Sequence, residues 1–397
     1  MRLRFAAAAV ALAATATGAP AAAPPLKLKM ELGLQGRAFA HDGAWPEQRN
    51  SGVAVSVQPE IDWGIPHGNV RFVPFARWDQ KDDERTHADI RELTVRQRHG
   101  NWDVVAGIGR VFWGTTESVH LVDIINQTDG VEDPDGEDKL GQPMVNVAWT
   151  TRAGVWSAFL LPYHRDRTLP GEHGRFRGPV PFDRGDPIYE SSHEEERVDV
   201  AGRWSLSKGP LDVGLSAFHG NAREPRYEPT VDADGIVLTP VYDVIEQYGL
   251  DGSVVRGGWL YKLEAIHNVS RVEDFTATAA GFEYTYSSVK GSSWDVGALA
   301  EFLWDSRGGN APSAFQKDVF VGSRLSANDV AGTEILAGVV ADLERESLFG
   351  NVEASRRVGV SGKIAIELRF FGGGSEADPL AFFRRDDYLQ VEYTRYF

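Results

Sequence analysis

The residues of this chain that could do chemistry are charged ones. Between Phe112 and Gln142 the sequence carries eight carboxylates, Glu117, Asp123, Asp129, Glu132, Asp133, Asp135, Glu137 and Asp138, against one lysine, Lys139. Elsewhere Arg96, Arg98, Arg203, Arg324 and Arg369 stand at alternating positions of stretches that read as extended, and Glu301 and Glu353 fall in the same kind of pattern. An acidic loop set across water from such arginines creates a transverse field that sorts solutes by charge. The plainer reading is a surface loop and a wall of paired, solvated charges, and composition leaves both open. Within the loop, Leu121-Val122-Asp123-Ile124-Ile125-Asn126 is apolar enough to pack against a wall.

Two further sets have the residue types for binding ions. Asp133-Pro134-Asp135-Gly136-Glu137-Asp138 resembles part of a calcium loop, with Asp133, Asp135 and Asp138 as oxygen donors around a glycine turn. It lacks the full ligand spacing and the distal bidentate glutamate, so a solvated acidic turn competes with it. His164, Arg165, Arg167, His173, Arg175, Arg177 and Arg184 form a basic stretch that suits anionic solutes or lipopolysaccharide phosphates. Neither Gly-x-Ser-x-Gly nor His-Glu-x-x-His occurs. The expectation is no enzyme and no cofactor. A net charge of −16 disfavours nucleic acid as a partner.

The elements that must position these charges are strands. Leu26, Leu28, Met30, Leu32 and Leu34 alternate with Lys27, Lys29, Glu31, Gly33 and Gln35. Trp294, Val296, Ala298, Ala300, Phe302 and Trp304 form an apolar face with tryptophan at both ends. Ile364, Ile366, Leu368 and Phe370 oppose Lys363, Glu367 and Arg369. Period-two reading places strand starts near residues 27, 52, 69, 88, 101, 143, 154, 196, 211, 241, 258, 274, 293, 318, 333, 348, 362 and 387, about 18 strands, with 16 also compatible. Short, turn-forming connections such as Pro66-His67-Gly68 and Lys208-Gly209-Pro210 alternate with connections that are mostly long, at 40–51, 80–87, 112–142, 164–195, 220–240, 305–317 and 373–386. One apolar and one polar face on every strand fits a transmembrane antiparallel up-and-down β-barrel: all-β, with long extracellular loops and short periplasmic turns. A barrel of that size is too wide to be filled by its own side chains, which predicts an aqueous lumen. Lys262 and Glu264 belong to the inward-facing set.

The two ends agree. Arg2 and Arg4 precede an apolar run from Phe5 to Ala16, and small residues at Ala19, Ala21 and Ala23 follow. This reads as a cleaved signal peptide over 1–21, leaving 22–397 as one barrel domain. Leu389, Val391 and Tyr393 alternate with Gln390, Glu392 and Thr394 before the terminal Phe397. This ending resembles the last strand of Gram-negative outer-membrane β-barrels, in which the final aromatic is read by the barrel-assembly machinery. The resemblance implies the outer membrane as location, with its lipid and lipopolysaccharide as partners.

The whole segment 22–397 resembles a porin-type barrel. Gly109-Arg110-Val111-Phe112-Trp113-Gly114, then Val122-Asp123, then Asn126-Gln127-Thr128-Asp129, is similar to a Trp-Gly and Asn-x-x-Asp arrangement of substrate-specific and alginate-export-like barrels. In porins the third long loop folds inward and narrows the pore. The acidic stretch 112–142 is also the third, so Glu117, Asp123, Asn126 and Asp129 are the expected constriction residues. The resemblance implies passive diffusion of small hydrophilic or charged solutes, and a homo-oligomer is compatible with it. Solute identity does not transfer. A plugged structural or adhesion barrel and a barrel-embedded hydrolase are the competing classes.

Overall fold

The computed structural model describes residues 26–183, 185–231, 235–313, 315–374 and 378–397. The expected signal peptide and Arg184 lie outside the described residues. In chain order the strands are β1 (Leu26–Phe39), β2 (Ser51–Ile65), β3 (Gly68–Asp79), β4 (His87–His99), β5 (Trp102–Gly109), β6 (Gln142–Thr151), β7 (Gly154–Leu161), β8 (Ile188–Tyr189), β9 (Asp199–Lys208), β10 (Leu211–Asn221), β11 (Arg226–Val231), β12 (Ile236–Tyr242), β13 (Val244–Arg256), β14 (Trp259–Ser270), β15 (Phe275–Tyr286), β16 (Asp295–Asp305), β17 (Lys317–Ser326), β18 (Glu334–Asp342), β19 (Ser347–Val358), β20 (Gly362–Gly373) and β21 (Tyr388–Tyr396). All except β8, β11 and β12 form one 18-stranded antiparallel sheet. β1 pairs with β21 from Glu31 opposite Tyr396 to Phe39 opposite Tyr388, so the sheet closes on itself. No described helix is long and apolar enough to cross a membrane.

The outer face explains the closure. On β16, Phe302 and Trp304 are 44% and 41% exposed, whereas the alternate residues Glu301 and Leu303 are 3% and 2% exposed and point inward. On β1, Leu28, Leu32 and Leu34 are exposed in the same way. An apolar belt of this extent around a closed wall is stable only in hydrocarbon. Tryptophan pairs mark the rim where the connections are short. Trp102 stacks on Trp149 at 5.6 Å between centroids, and Trp156 packs on Trp204 at 6.1 Å. Such rings suit the membrane–water interface.

Most connections at that rim are tight turns, as between β9 and β10, where Gly209 has φ of +61°; 287–294 and 327–333 are longer. The opposite rim carries 40–50, 80–86, 110–141, 162–198, 222–243, 306–316 and 374–387, with two short connections at 271–274 and 343–346. The strand starts follow the sequence reading within three residues. The two largest departures have local causes. The start expected near 196 is displaced by a 3-10 turn at Glu194–Glu196. The start expected near 241 falls in β12, which leaves the wall and joins β8 and β11 in a separate three-stranded sheet.

Ala300 sits at the middle of β16, on the outer face between Ala298 and Phe302. Ala300→Arg should destabilise the inserted barrel by about 2–4 kcal/mol, whereas Ala300→Leu should be neutral. Urea titrations of folding into lipid vesicles check this; equal tolerance of both variants would reverse the facing of the wall.

Candidate functional site

The connection 110–141 leaves the fifth strand of the wall and crosses the interior. Its path is fixed by two glutamates on the far side. Glu264, on β14 and fully buried, accepts hydrogen bonds from the Thr115 and Thr116 backbone N–H groups at 2.6 and 2.9 Å, from the Thr116 hydroxyl at 2.8 Å and from the Val122 N–H at 3.3 Å. Glu301, on β16, accepts from the Glu117 and Ser118 N–H groups at 2.8 and 2.9 Å and from the Ser118 hydroxyl at 2.6 Å. A loop backbone inside a wall carries donors that no ladder satisfies, and inward carboxylates supply the acceptors. Apolar packing completes the docking. Val122 and Ile125 are fully buried, in one cluster with Phe159, Phe218, Ile245 and Ile266 of the wall.

Asn126 ties the two legs of the loop together. Its Oδ1 accepts from the Val111 N–H at 2.8 Å, and its Nδ2 donates to the carbonyls of Gly109 and Leu140, both at 2.8 Å. Asp123 accepts from the Trp113 N–H at 3.3 Å and lies 3.5 Å from the Lys139 ammonium. Asp129 is fully buried against Arg91 at 2.6 Å, and accepts from the Thr168 hydroxyl at 2.6 Å. Burial alone would raise the Asp129 carboxyl; the His87 ring, Arg91 and Thr168 outweigh it and hold it below the usual carboxylate range. Asn126 and Asp129 are therefore buried and bonded to the two legs of the loop, to the wall and to Thr168.

The arginines divide. Arg324 donates to Glu117 at 2.7 Å, and Lys262 reaches the same oxygen at 3.2 Å. Arg369 meets Asp135 at 2.7 Å and Asp133 at 3.0 Å, with Glu353 at 3.8 Å. Arg203 is bidentate to Asp251 at 2.6 and 2.8 Å, its guanidinium 5.0 Å from the Trp113 ring centroid. Arg96 and Arg98 both bind Asp103 near the short-turn rim and do not meet the loop. The set also gains members that alternation hides. Arg77 binds Glu132 at 2.6 Å, and Arg85 donates to the Val131 carbonyl at 3.0 Å. A bulge opposite Val73 and Pro74 places Arg91 and Glu92, neighbours in sequence, on the same inward face.

Asp133, Asp135 and Asp138 do not converge as metal ligands; among the described residues the converging group is His87, Asp129 and Glu132, within 4.8 Å of one another. His87 Nδ1 faces the Arg85 carbonyl at 3.1 Å, leaving Nε2 toward the carboxylates. Arg91 and Arg77 already supply two positive charges to those carboxylates, so the group is a neutralised ion network.

The connection 162–198 covers the long-loop mouth. Arg175 binds Asp386 at 2.6 Å and stacks over Phe39 at 4.0 Å. Phe176, at a left-handed φ of +62°, packs against Phe39, Phe383 and Tyr388. Between the two loops and the wall lies a cavity of about 1250 Å³. Thirteen carboxylate side chains line it, against eight lysines and arginines.

No protein-family model matches the sequence, and no curated protein matches it. Solved structures do. The chain is similar to OccAB1 of Acinetobacter baumannii, with a TM-score of 0.57 and 9% identity over 94% of this chain and 96% of that one. It is similar to a BenF-like porin from Pseudomonas fluorescens Pf-5, with a TM-score of 0.52 and 9% identity over 93% of this chain and 98% of that one. Likeness at this identity concerns the fold alone: a closed β-barrel of the porin type.

His120 links loop to wall. It lies 4.0 Å from Glu264 and 3.7 Å from Glu137. Burial lowers its pKa, but the contacts with Glu137 and Glu264 outweigh burial and raise it to about 9. Its contribution to docking is therefore complete below the ordinary histidine value of about 6.5 and is lost as pH rises through about 9. Amide exchange over 117–125 should accelerate between those pH values beyond the intrinsic rate, and His120→Gln should flatten the dependence. Glu264→Gln leaves buried N–H donors short of an acceptor and should weaken loop docking by about 1–3 kcal/mol, read as lost exchange protection at Thr115, Thr116 and Val122. Unchanged protection in both variants would show that apolar packing alone holds the loop.

Proposed function

We propose that the protein is a passive diffusion channel of the Gram-negative outer membrane for small hydrophilic solutes, with a preference for cations. The supporting observation is the charged cavity between the inward loop and β13–β21, where acidic side chains outnumber basic ones. Many of the loop's carboxylates are held by wall cations, as Glu117 is by Arg324 and Lys262. The selectivity then comes from the remainder, including Glu137, 64% exposed at its side chain, and the lumen-lining Glu334. A negative lumen concentrates cations and excludes anions of equal size. Transit needs no covalent step, so no residue acts as a catalyst in this reading.

A plugged barrel is the second reading, because the Arg175–Asp386 ion pair and the Phe176 contacts draw one loop across the mouth. Conductance separates the two. Reconstituted in planar bilayers under a KCl gradient, the protein should pass current with a reversal potential of the cation-selective sign. Deleting 117–138 should raise the conductance and change the selectivity. A silent bilayer with correctly folded protein would support the plugged barrel, and an anion-selective current would overturn the role given to the acidic lining.

A further inference from the structure

The interior of a barrel of this kind is polar as a rule, and one patch of this inner wall is aromatic. Phe349 on β19 stands directly opposite Phe371 on β20, with ring centroids 5.3 Å apart. Phe315, from the connection 306–316, meets Phe349 at 6.5 Å. Phe383, from the connection 374–387, meets Phe371 at 5.8 Å. Phe176, from the connection 162–198, continues the row 6.2 Å from Phe383. Phe371 is 6% exposed and lies beneath the others. Phe176, Phe315, Phe349 and Phe383 are only partly buried, and all four border the cavity. Rings left open to water on an inward face forgo stabilisation that an apolar partner would supply.

The next two steps of the same inward face carry charge. In ladder register the Phe349–Phe371 pair is followed by Asn351 opposite Arg369, and then by Glu353 opposite Glu367. Like charges directly opposite each other destabilise a ladder. Arg369 relieves the conflict, bonded to Glu367 and 3.8 Å from Glu353. The same guanidinium holds Asp135 at 2.7 Å and Asp133 at 3.0 Å. Arg37, 5.6 Å from the Phe176 ring centroid, adds one more positive charge beside the rings. Four carboxylates thus share two guanidinium groups. Glu353 is the most open of the four, 48% exposed at its side chain, and it borders the cavity. The Arg369 guanidinium also lies 5.8 Å from the Phe349 ring centroid, so the rings and the open carboxylate adjoin through one residue.

We propose that this patch binds amphipathic organic cations, molecules in which an aromatic ring and an ammonium group are joined by a short arm. The phenylalanines take the ring of the ligand by stacking, and their negative faces attract its cationic end. Glu353 supplies the counter-charge. An aromatic anion would meet the same rings but be repelled by the surplus carboxylates. A small hydrated cation would meet Glu353 but leave the rings uncovered. The inference deepens the reading of the protein as a cation-preferring channel, and it rests on that reading for entry of the ligand from solution.

Two measurements on the whole mature protein test it. In planar bilayers, phenethylammonium added on the long-loop side should block the potassium current in a concentration-dependent way. Ethylammonium, which lacks the ring, and phenylacetate, which reverses the charge, should block at least about tenfold more weakly. Phe349→Leu stays apolar without the aromatic face, and Glu353→Gln keeps the shape without the charge. Each should weaken the block by about threefold to tenfold. In saturation-transfer NMR on the protein refolded in deuterated detergent, the ring protons of phenethylammonium should receive magnetisation, and less of it in both variants. Saturation transfer that falls in both variants, seen without any current, would uphold the patch and overturn the channel reading instead. Equal block by the three probes, stronger block by phenylacetate, or block unchanged in both variants would overturn the patch while leaving the channel intact. Absence of saturation transfer to phenethylammonium would overturn it as well.

Discussion

A sheet in hydrocarbon cannot keep a free edge, because no water is present to satisfy its N–H and C=O groups. The pairing of β1 with β21 meets that constraint, and the rest of the molecule follows from it. Closing 18 strands encloses more space than their inward side chains fill. The connection 110–141 enters that space, and its backbone donors need acceptors there. Glu264 and Glu301 provide them from the far wall, so a requirement of the membrane-facing surface ends in two buried carboxylates on the inner face of the barrel.

The interior charges consequently have two roles. One set is structural: Glu264 and Glu301 hold the loop, Asp129 meets Arg91, and Glu132 meets Arg77. The other set borders the cavity and supplies its field. Arg324 and Arg369 belong to both, since each lines the cavity while binding the loop's acids. Buried charges are tolerated in this way only when every one is paired and hydrogen-bonded.

The strand order, the facing of the wall and the inward charge of each strand were legible because they depend on a period of two residues within one segment. Alternation along β16 separates Ala298, Ala300, Phe302 and Trp304 from Glu301 without knowledge of any neighbour. Alternation carries no information at two places in the chain. The apolar run at Ile236–Tyr242 looks like wall but pairs with β11 and β8. At Arg91 and Glu92 a bulge sends two consecutive residues the same way, which strict alternation forbids.

The amino-acid sequence by itself determined a closed antiparallel barrel, its apolar exterior and the concentration of acids in one long loop, since each is a property of local order along the chain. Only the tertiary structure decided which charge meets which. Asn126 bridges loop residues 15 and 14 positions away, whereas Thr116 reaches Glu264 across 148 positions and Glu117 reaches Arg324 across 207. Partners so distant in the chain leave no periodic signal; strand order, barrel width and the fold of the loop choose them together.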